Sequence, residues 1–426
     1  MAAPVSLAGP PATLPESFRM PVFRLFAVAL ATFLAGVASA QTPTPAPVPA
    51  APAAQPAPTP TAPVPTGAKA WVLMDFASGQ VLAGENVDAP MEPASITKVM
   101  TSYVVAAEMA NGKIKSTDRV RISENAWKSG GAGTDGSYSA LAVGSEVALD
   151  DVLHGLVIQS GNDAAIALAE HVAGSEAAFV DLMNSYAQRI GMKNSHFANS
   201  HGLSAEGHVM SARDIALLSR ALIAQFPEHY ALYKVKEFEY NGIKQWNRNG
   251  LLWKDASVDG LKTGHTSAAG FCLAASAKRG DQRLISVVLG IESKTNSEGF
   301  RLREEGNLAL LNWGFRFFET HTVYEAGAKV ADQKLWRGEA DTVALGVTEP
   351  LLVTLPRGRY GDLKPTMDVP GELVAPIAKG QQIGTVKLSL DGKVVAERQL
   401  VALDAVPEGG FFKRMSDDFW QWWESD

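Results

Sequence analysis

Three short segments carry side chains whose combination could break a carbonyl bond. In Pro93-Ala94-Ser95-Ile96-Thr97-Lys98 a serine stands three residues before a lysine, at the mouth of an apolar run with helical spacing. One turn of helix apart, Ser95 and Lys98 share a face. A serine hydroxyl becomes a nucleophile when a neighbouring base takes its proton, and a lysine can be that base once burial lowers its pKa. The helix N-terminus adds a field that favours negative charge developing at Ser95. Ser160-Gly161-Asn162 follows apolar Leu156-Val157-Ile158 and precedes another helical stretch, so it sits on a tight connection between buried elements. Lys262-Thr263-Gly264 precedes the strand-like run Gly270 to Ala277. Ser-x-x-Lys alone usually marks a capped, solvated helix. With the other two segments it points to serine acyl transfer, Ser95 being the nucleophile and Lys98 the general base.

The surrounding elements can be read from periodicity. Trp71 to Phe76 and Val81-Leu82 bracket Ala77-Ser78-Gly79 and predict a β-hairpin. Thr97 to Met109 predicts a helix closing at Asn111-Gly112, and further helices are expected over 150–158, 163–173, 175–190 and 212–225. Ser211 with Asp214 three residues on reads as a capping box at the last of these. Strands are expected at Gly270–Ala277 and Leu284–Gly290, so helices and antiparallel strands mix through 68–320. After Thr320 short strand-like runs, Leu351 to Leu355, Thr385 to Leu390 and Val394 to Ala396, are parted by turn signals that include Asp391-Gly392. Residues 321–408 are therefore expected to be a separate all-β domain. From 409 to 426 the aromatic residues Phe411, Phe412, Phe419, Trp420, Trp422 and Trp423 recur near helical period, an amphipathic segment able to lie in a bilayer interface.

At the other end, Arg19 and Arg24 precede the apolar run Leu25 to Val37 and the small-residue stretch Ala38-Ser39-Ala40. Residues 1–40 read as a signal peptide cleaved after Ala40, and the protein as exported. Ten prolines between Gln41 and Thr66 make 41–67 a Pro/Ala-rich linker. Composition excludes other classes. The 38 Lys+Arg are outnumbered by 45 Asp+Glu, for a net charge of −7 with no basic run, which argues against nucleic acid as a partner. The single cysteine, Cys272, sits in an apolar run and is expected to be a buried filler. His196 and His201 lack metal-ligand spacing and no H-E-x-x-H occurs, so no metal or other cofactor is expected. Two motifs are decoys. Ser123-Glu124-Asn125 lies in a polar stretch, and Gly131-Ala132-Gly133-Thr134-Asp135-Gly136, formally GxGxxG, lacks the strand and helix a nucleotide site needs.

The three ordered motifs, with Asn199-Ser200-His201-Gly202-Leu203, Asn247-Arg248-Asn249-Gly250-Leu251-Leu252-Trp253, Asp259-Gly260-Leu261 before Lys262, and Trp313-Gly314-Phe315, carry a resemblance. The chain resembles the serine-type D-alanyl-D-alanine carboxypeptidases, a low-molecular-mass penicillin-binding protein family of the bacterial envelope. The resemblance implies an α/β (α+β) fold: a penicillin-binding/β-lactamase-like catalytic domain with a central antiparallel sheet flanked by helices, then the small all-β domain. It implies that Ser95 attacks the penultimate D-alanine of a peptidoglycan stem peptide and that Lys98 takes its proton. Ser160, relayed by Lys262, would protonate the leaving nitrogen. Asn162 would orient Lys98 and the substrate amide, and the N–H groups of Ser95 and His265 would form the oxyanion hole beside Gly264. Thr263 and Arg303 would bind the terminal carboxylate, with Arg301 as a rival for that role. β-Lactams would acylate the same serine, in the periplasm or on the outer face of the inner membrane. A class A β-lactamase fits less well, since no Glu-x-x-Leu-Asn lies between Asn162 and Lys262. A D,D-endopeptidase and a non-catalytic envelope-binding protein are the remaining alternatives.

Overall fold

A computed structural model describes residues 59–134 and 136–424; the expected signal peptide, its cleavage site and most of the linker lie outside the described residues. The central sheet has five antiparallel strands, in the order Val81–Glu85, Ala70–Asp75, Gln282–Ile291, Gly270–Arg279, Val258–Thr266. Alternation along each strand divides the core into two layers. Val72, Met74, Ala274 and Val287 face the helices Lys98–Ala110, Asn162–Ala173 and Ala212–Gln225, while Trp71, Leu73, Leu273 and Val288 face the helix Asn296–Phe317. The helix Asn162–Ala173 is buried on nearly every side from Asn162 to Ala169. Its five alanines let it approach the helix Lys98–Ala110 closely.

Three local expectations need correction. The stretch 150–158 is not one α-helix: Leu149–His154 is α-helical and Gly155–Gln159 widens into a π turn. Such widenings gather at functional sites, and this one delivers Ser160. The end of the expected linker is part of the fold. The carbonyl of Pro60 accepts the Trp313 indole N–H at 3.0 Å, and Gly306 leaves room for Pro65. Prolines suit this docking because they bring no N–H that must find a partner. The capping box is half formed. Ser211 Oγ accepts the Asp214 N–H at 3.1 Å, but the Asp214 carboxylate takes the Asn194 N–H and the Ser195 hydroxyl instead of reaching back.

Beyond the helix Asn296–Phe317, strand pairing resumes at Phe318, which packs on Trp313. The β region holds a six-stranded sheet and the ribbon Phe318–Tyr324 with Leu351–Pro356. Asp391 and Gly392 both adopt positive φ, 52° and 76°, the conformation of a tight hairpin turn between Gln382–Leu390 and Lys393–Ala402. A polar knot ties this region to the central sheet. The buried Asp75 accepts the Ser78 N–H and hydroxyl at 2.8 Å and the Thr320 hydroxyl at 2.9 Å, and Ser78 meets Thr354 at 2.6 Å. The last helix, Phe411–Glu424, lies against the strand Lys329–Trp336. Among the described residues no helix is long and apolar enough to cross a membrane.

Candidate active site

Ser95 stands on a short 3-10 turn, Ala94–Thr97, that leads directly into the helix Lys98–Ala110. Ala94 has φ 49°, an uncommon left-handed conformation for a residue with a Cβ. It turns the chain so that Ser95 enters the cleft while Ala94, Ile96 and Thr97 are buried. One turn on, Lys98 is 1% exposed, and its Nζ donates to Ser95 Oγ at 3.1 Å, Asn162 Oδ1 at 2.7 Å and the His201 carbonyl at 2.6 Å. Burial lowers the ammonium pKa to about 7; Asp163 opposes this fall and Arg248 adds to it. A lysine so placed is part neutral near pH 7 and can accept a hydroxyl proton.

Ser160 closes the π turn in a left-handed conformation, φ 67°. Its hydroxyl accepts from Lys262 Nζ at 2.8 Å. Lys262 is fully buried and its pKa is driven well down, first by desolvation and then by the cations Lys98, Arg248 and Arg303. The two serines thus each hold a buried lysine, and Asn162 at the start of its helix bonds the first of those lysines. The Asn162 Nδ2 has no protein partner and lies against Gly136, where a Cβ would come within 1.9 Å of it.

Lys262, Thr263, Gly264 and His265 lie on Val258–Thr266, the outermost strand of the central sheet. A Cβ on Gly264 would stand 2.8 Å from the Pro93 carbonyl oxygen, so glycine lets this strand close onto the turn that carries Ser95. The His265 ring stacks on Phe271 at 4.1 Å. Arg303 reaches in from the helix Asn296–Phe317. It is 3% exposed, donates to the Gly264 carbonyl at 3.3 Å, and lies 4.6 Å from the Phe300 ring. Arg301 points elsewhere, to a surface pair with Glu305 at 2.6 Å. Ser95, Ser160, Asn162, Thr263, Gly264, His265 and Arg303 line one cleft of about 540 Å³, with Lys98 and Lys262 beneath it. All nine expected site residues are therefore brought together.

Several contributors carry no role in the sequence reading. The His201 carbonyl is an acceptor for Lys98, held by Asn199, whose Oδ1 takes the N–H groups of His201 and Gly202 at 3.2 and 2.7 Å. His208 accepts the Ala198 N–H through Nδ1 at 3.0 Å, so its Nε2–H donates to Thr97 Oγ1 at 2.8 Å; burial drops its pKa to about 4 and keeps it neutral. Asp163 takes the N–H groups of Ser139 and Leu141, pinning the loop that brings Gly136 to Tyr138 to the cleft. The glycine-rich segment is thus a wall of the cleft and not a phosphate cradle. Ser123 caps its own helix by accepting from the Ala126 N–H at 2.9 Å, and Asn125 bonds Glu170. Cys272 is fully buried, and desolvation pushes its thiol up to about 11.

Gly202 was the detectable signal for the role of the segment Asn199 to Leu203. It has φ 95°, and a Cβ there would fall 1.9 Å from the Ala94 carbonyl oxygen. Gly202→Ala is expected to destabilise the fold by about 2–3 kcal/mol and to slow acylation of Ser95, because relief of the contact must part the Gly202 loop from the turn that carries Ser95. Thermal unfolding together with penicillin labelling rates checks both halves.

Comparison with known proteins agrees with this geometry. Residues 57–293 match the family model described as D-alanyl-D-alanine carboxypeptidase, and 318–408 match the C-terminal domain of penicillin-binding protein 5. The Escherichia coli K12 D-alanyl-D-alanine carboxypeptidase DacA is 47% identical over 82% of this chain and 86% of its own length. DacC of the same organism is 48% identical over 84% of this chain and 90% of its own. The crystal structure of penicillin binding protein 5 from Haemophilus influenzae superposes with a TM-score of 0.77 at 42% identity, covering 82% of this chain and all of the other. With the family model spanning more than half of its length and relatives of this similarity, the chain belongs to the D-alanyl-D-alanine carboxypeptidase family of serine peptidases.

Proposed function

We propose that the cleft removes the terminal D-alanine from peptidoglycan stem pentapeptides through an acyl-enzyme on Ser95. The observation that carries this reading is the pair of serine hydroxyls, each hydrogen-bonded to a buried lysine, in one cleft. Lys98 takes the Ser95 proton as Oγ attacks the penultimate carbonyl carbon. The developing oxyanion is received by the N–H groups of Ser95 and His265, which Gly264 brings close together. Ser160 hands its proton to the departing D-alanine nitrogen, and the proton that Lys98 took from Ser95 replaces it by way of Lys262, leaving both lysines as they began. Asn162 holds Lys98 through Oδ1 and, lining the cleft, orients the substrate amide. The product-side carboxylate meets the Thr263 hydroxyl and the Arg303 guanidinium. Lys98, neutral again, takes a proton from the water that attacks the ester carbonyl and returns it to Ser95 Oγ as the acyl group leaves as a carboxylic acid. A β-lactam acylates Ser95 by the same attack and leaves an ester that hydrolyses slowly.

Purified protein is expected to release free D-alanine from a monomeric pentapeptide. Cleavage confined to cross-linked dimers would replace this reading with an endopeptidase, and penicillin binding without either hydrolysis would leave an envelope-binding protein. Acylation needs neutral Lys98. Its rate is therefore expected to rise with pH through about 7 and level off above, read from fluorescent-penicillin labelling across that range.

The protein works in the periplasm, on the outer face of the inner membrane, with the helix Phe411–Glu424 as its contact. Phe411, Phe412, Met415, Phe419 and Trp420 are each more than half exposed, an apolar surface that supports this reading. Deleting Phe411–Asp426 is expected to move the protein from membrane to periplasmic fractions while penicillin labelling persists. An unchanged distribution would remove the anchor.

A further inference from the structure

Asp259, Arg283 and Tyr230 form a largely buried polar cluster that no step of the reaction touches. Arg283, on the strand Gln282–Ile291, donates to the two carboxylate oxygens of Asp259 at 2.7 and 2.6 Å, and the Tyr230 hydroxyl donates to the first of them at 2.7 Å. Arg283 also donates to Ser276 Oγ at 2.7 Å. A forked pair of this kind fixes angle as well as distance. Desolvation offsets much of the attraction between two buried charges, so the worth of the pair has to be sought in the geometry it imposes.

That geometry is an irregularity in the strand Val258–Thr266. Val258 stands opposite Ala277 and Gly260 opposite Ser276, so Asp259 is an extra residue in the ladder. Side chains alternate across a sheet with a period of two, and every residue beyond the insertion is displaced by one place. Lys262 therefore stands opposite Ala274, on the face packed against the helices, and reaches Ser160. In an unbroken ladder counted from Val258 it would stand opposite Leu273, on the face covered by the helix Asn296–Phe317. The inserted residue turns Lys262 toward the cleft. Gly260 completes the fit, because a Cβ there would come within 2.4 Å of the Tyr230 hydroxyl.

Resting on the roles of Ser160 and Lys262 proposed above, we infer that Asp259, clamped by Arg283 and Tyr230, is a positioning residue that pins this bulge and so sets Lys262 on Ser160. Loosening the clamp lets the bulge relax and draws Lys262 away. The far end of the strand stays in place, because Thr263 to Thr266 remain paired with Gly270 to Leu273 and Arg303 still bonds the Gly264 carbonyl. The loss falls on proton delivery to the leaving group and not on attack by Ser95.

The test compares two substrates with the same acyl part, a peptide ending in D-Ala-D-Ala and an analogue whose last residue is a mercapto acid joined as a thioester. When the amide C–N bond breaks, the nitrogen must gain a proton to depart as an amine; when the thioester C–S bond breaks, the sulfur departs as a thiolate and needs none. Both are read in single turnover, so that acylation is followed in each. Asp259→Asn is expected to slow amide cleavage by about 10²–10³-fold and thioester cleavage by no more than about threefold. A merely structural lesion would slow both alike. Tyr230→Phe keeps the ion pair and is expected to slow the amide alone, by about threefold to tenfold, which covers the case in which Asp259→Asn does not fold. Lys262→Met is the reference and should show the same split. If it does, and the Asp259 and Tyr230 variants slow both substrates equally or neither, the clamp is overturned. Absence of the split in Lys262→Met would instead remove the proton role of Lys262 and this inference with it.

Discussion

Ser95→Ala is expected to abolish covalent labelling by fluorescent penicillin and to reduce D-alanine release by on the order of 10⁵–10⁶-fold, the scale seen when a serine hydrolase loses its nucleophile. The change removes one oxygen from a residue that lines the cleft and leaves its turn intact. Ala94, Ile96 and Thr97 supply the buried contacts of that turn, so stability should move little. Lys98 would lose one of its three acceptors and keep Asn162 Oδ1 and the His201 carbonyl. Non-covalent binding of a stem peptide should survive, since Arg303, Thr263 and the oxyanion N–H groups remain. Labelling and equilibrium binding should thus part company. Retained covalent labelling in Ser95→Ala would place the nucleophile elsewhere, and Ser160, the other hydroxyl held by a buried lysine, would be next to test.

Lys98→Met is expected to slow acylation by about 10²–10⁴-fold, the usual worth of a positioned base. The more discriminating result is the pH profile. With Lys98 present the rate should rise through about 7; in the variant the residual rate should lose that step. Lys98→Arg should not rescue it, because a guanidinium stays protonated and cannot accept the Ser95 proton. Persistence of the same step in Lys98→Met would transfer the base role to another group. The depressed pKa also links this residue to stability. Between about 7 and the ordinary lysine value the unfolded chain holds a proton at Lys98 that the folded protein lacks. This residue therefore makes the fold more stable as pH rises through that window, and the gain is lost as pH falls back toward 7. Urea titrations of the wild type and Lys98→Met should differ in slope against pH there.

How much of this was legible in the residues depended on how local the signal was. Ser95 and Lys98 could be placed on one face because helical period fixes the relation of residues three apart. The order of the sheet could be read only in part: the hairpin sets Val81–Glu85 beside Trp71 to Asp75, but nothing in that strand says that its other neighbour is Gln282–Ile291. The π turn was invisible because Gly155-Leu156-Val157-Ile158 has the apolar texture of ordinary helix; its widening serves the tertiary need to bring Ser160 to Lys262. Asn199 and the His201 carbonyl were missed for a related reason, since a backbone acceptor has no signature in side-chain type. Arg303 and Arg301 were separable only by packing. Two residues apart on a helix they face different ways, one under Phe300 and the other into solvent. The half-formed capping box shows tertiary demand overriding a local motif, because Asp214 serves Asn194 and Ser195 and not its own helix.

The strand Val258–Thr266 is the last of its sheet, and its outer edge would be a row of unanswered backbone groups. Such edges invite strands from other molecules. Here the turn Ala94–Thr97 packs against this strand, close enough that a Cβ on Gly264 would meet the Pro93 carbonyl oxygen. The turn thus buttresses the last strand of the sheet. Substitutions that lift it away should loosen that strand as well as cost turnover, and loss of activity at this turn is expected to arrive together with concentration-dependent aggregation.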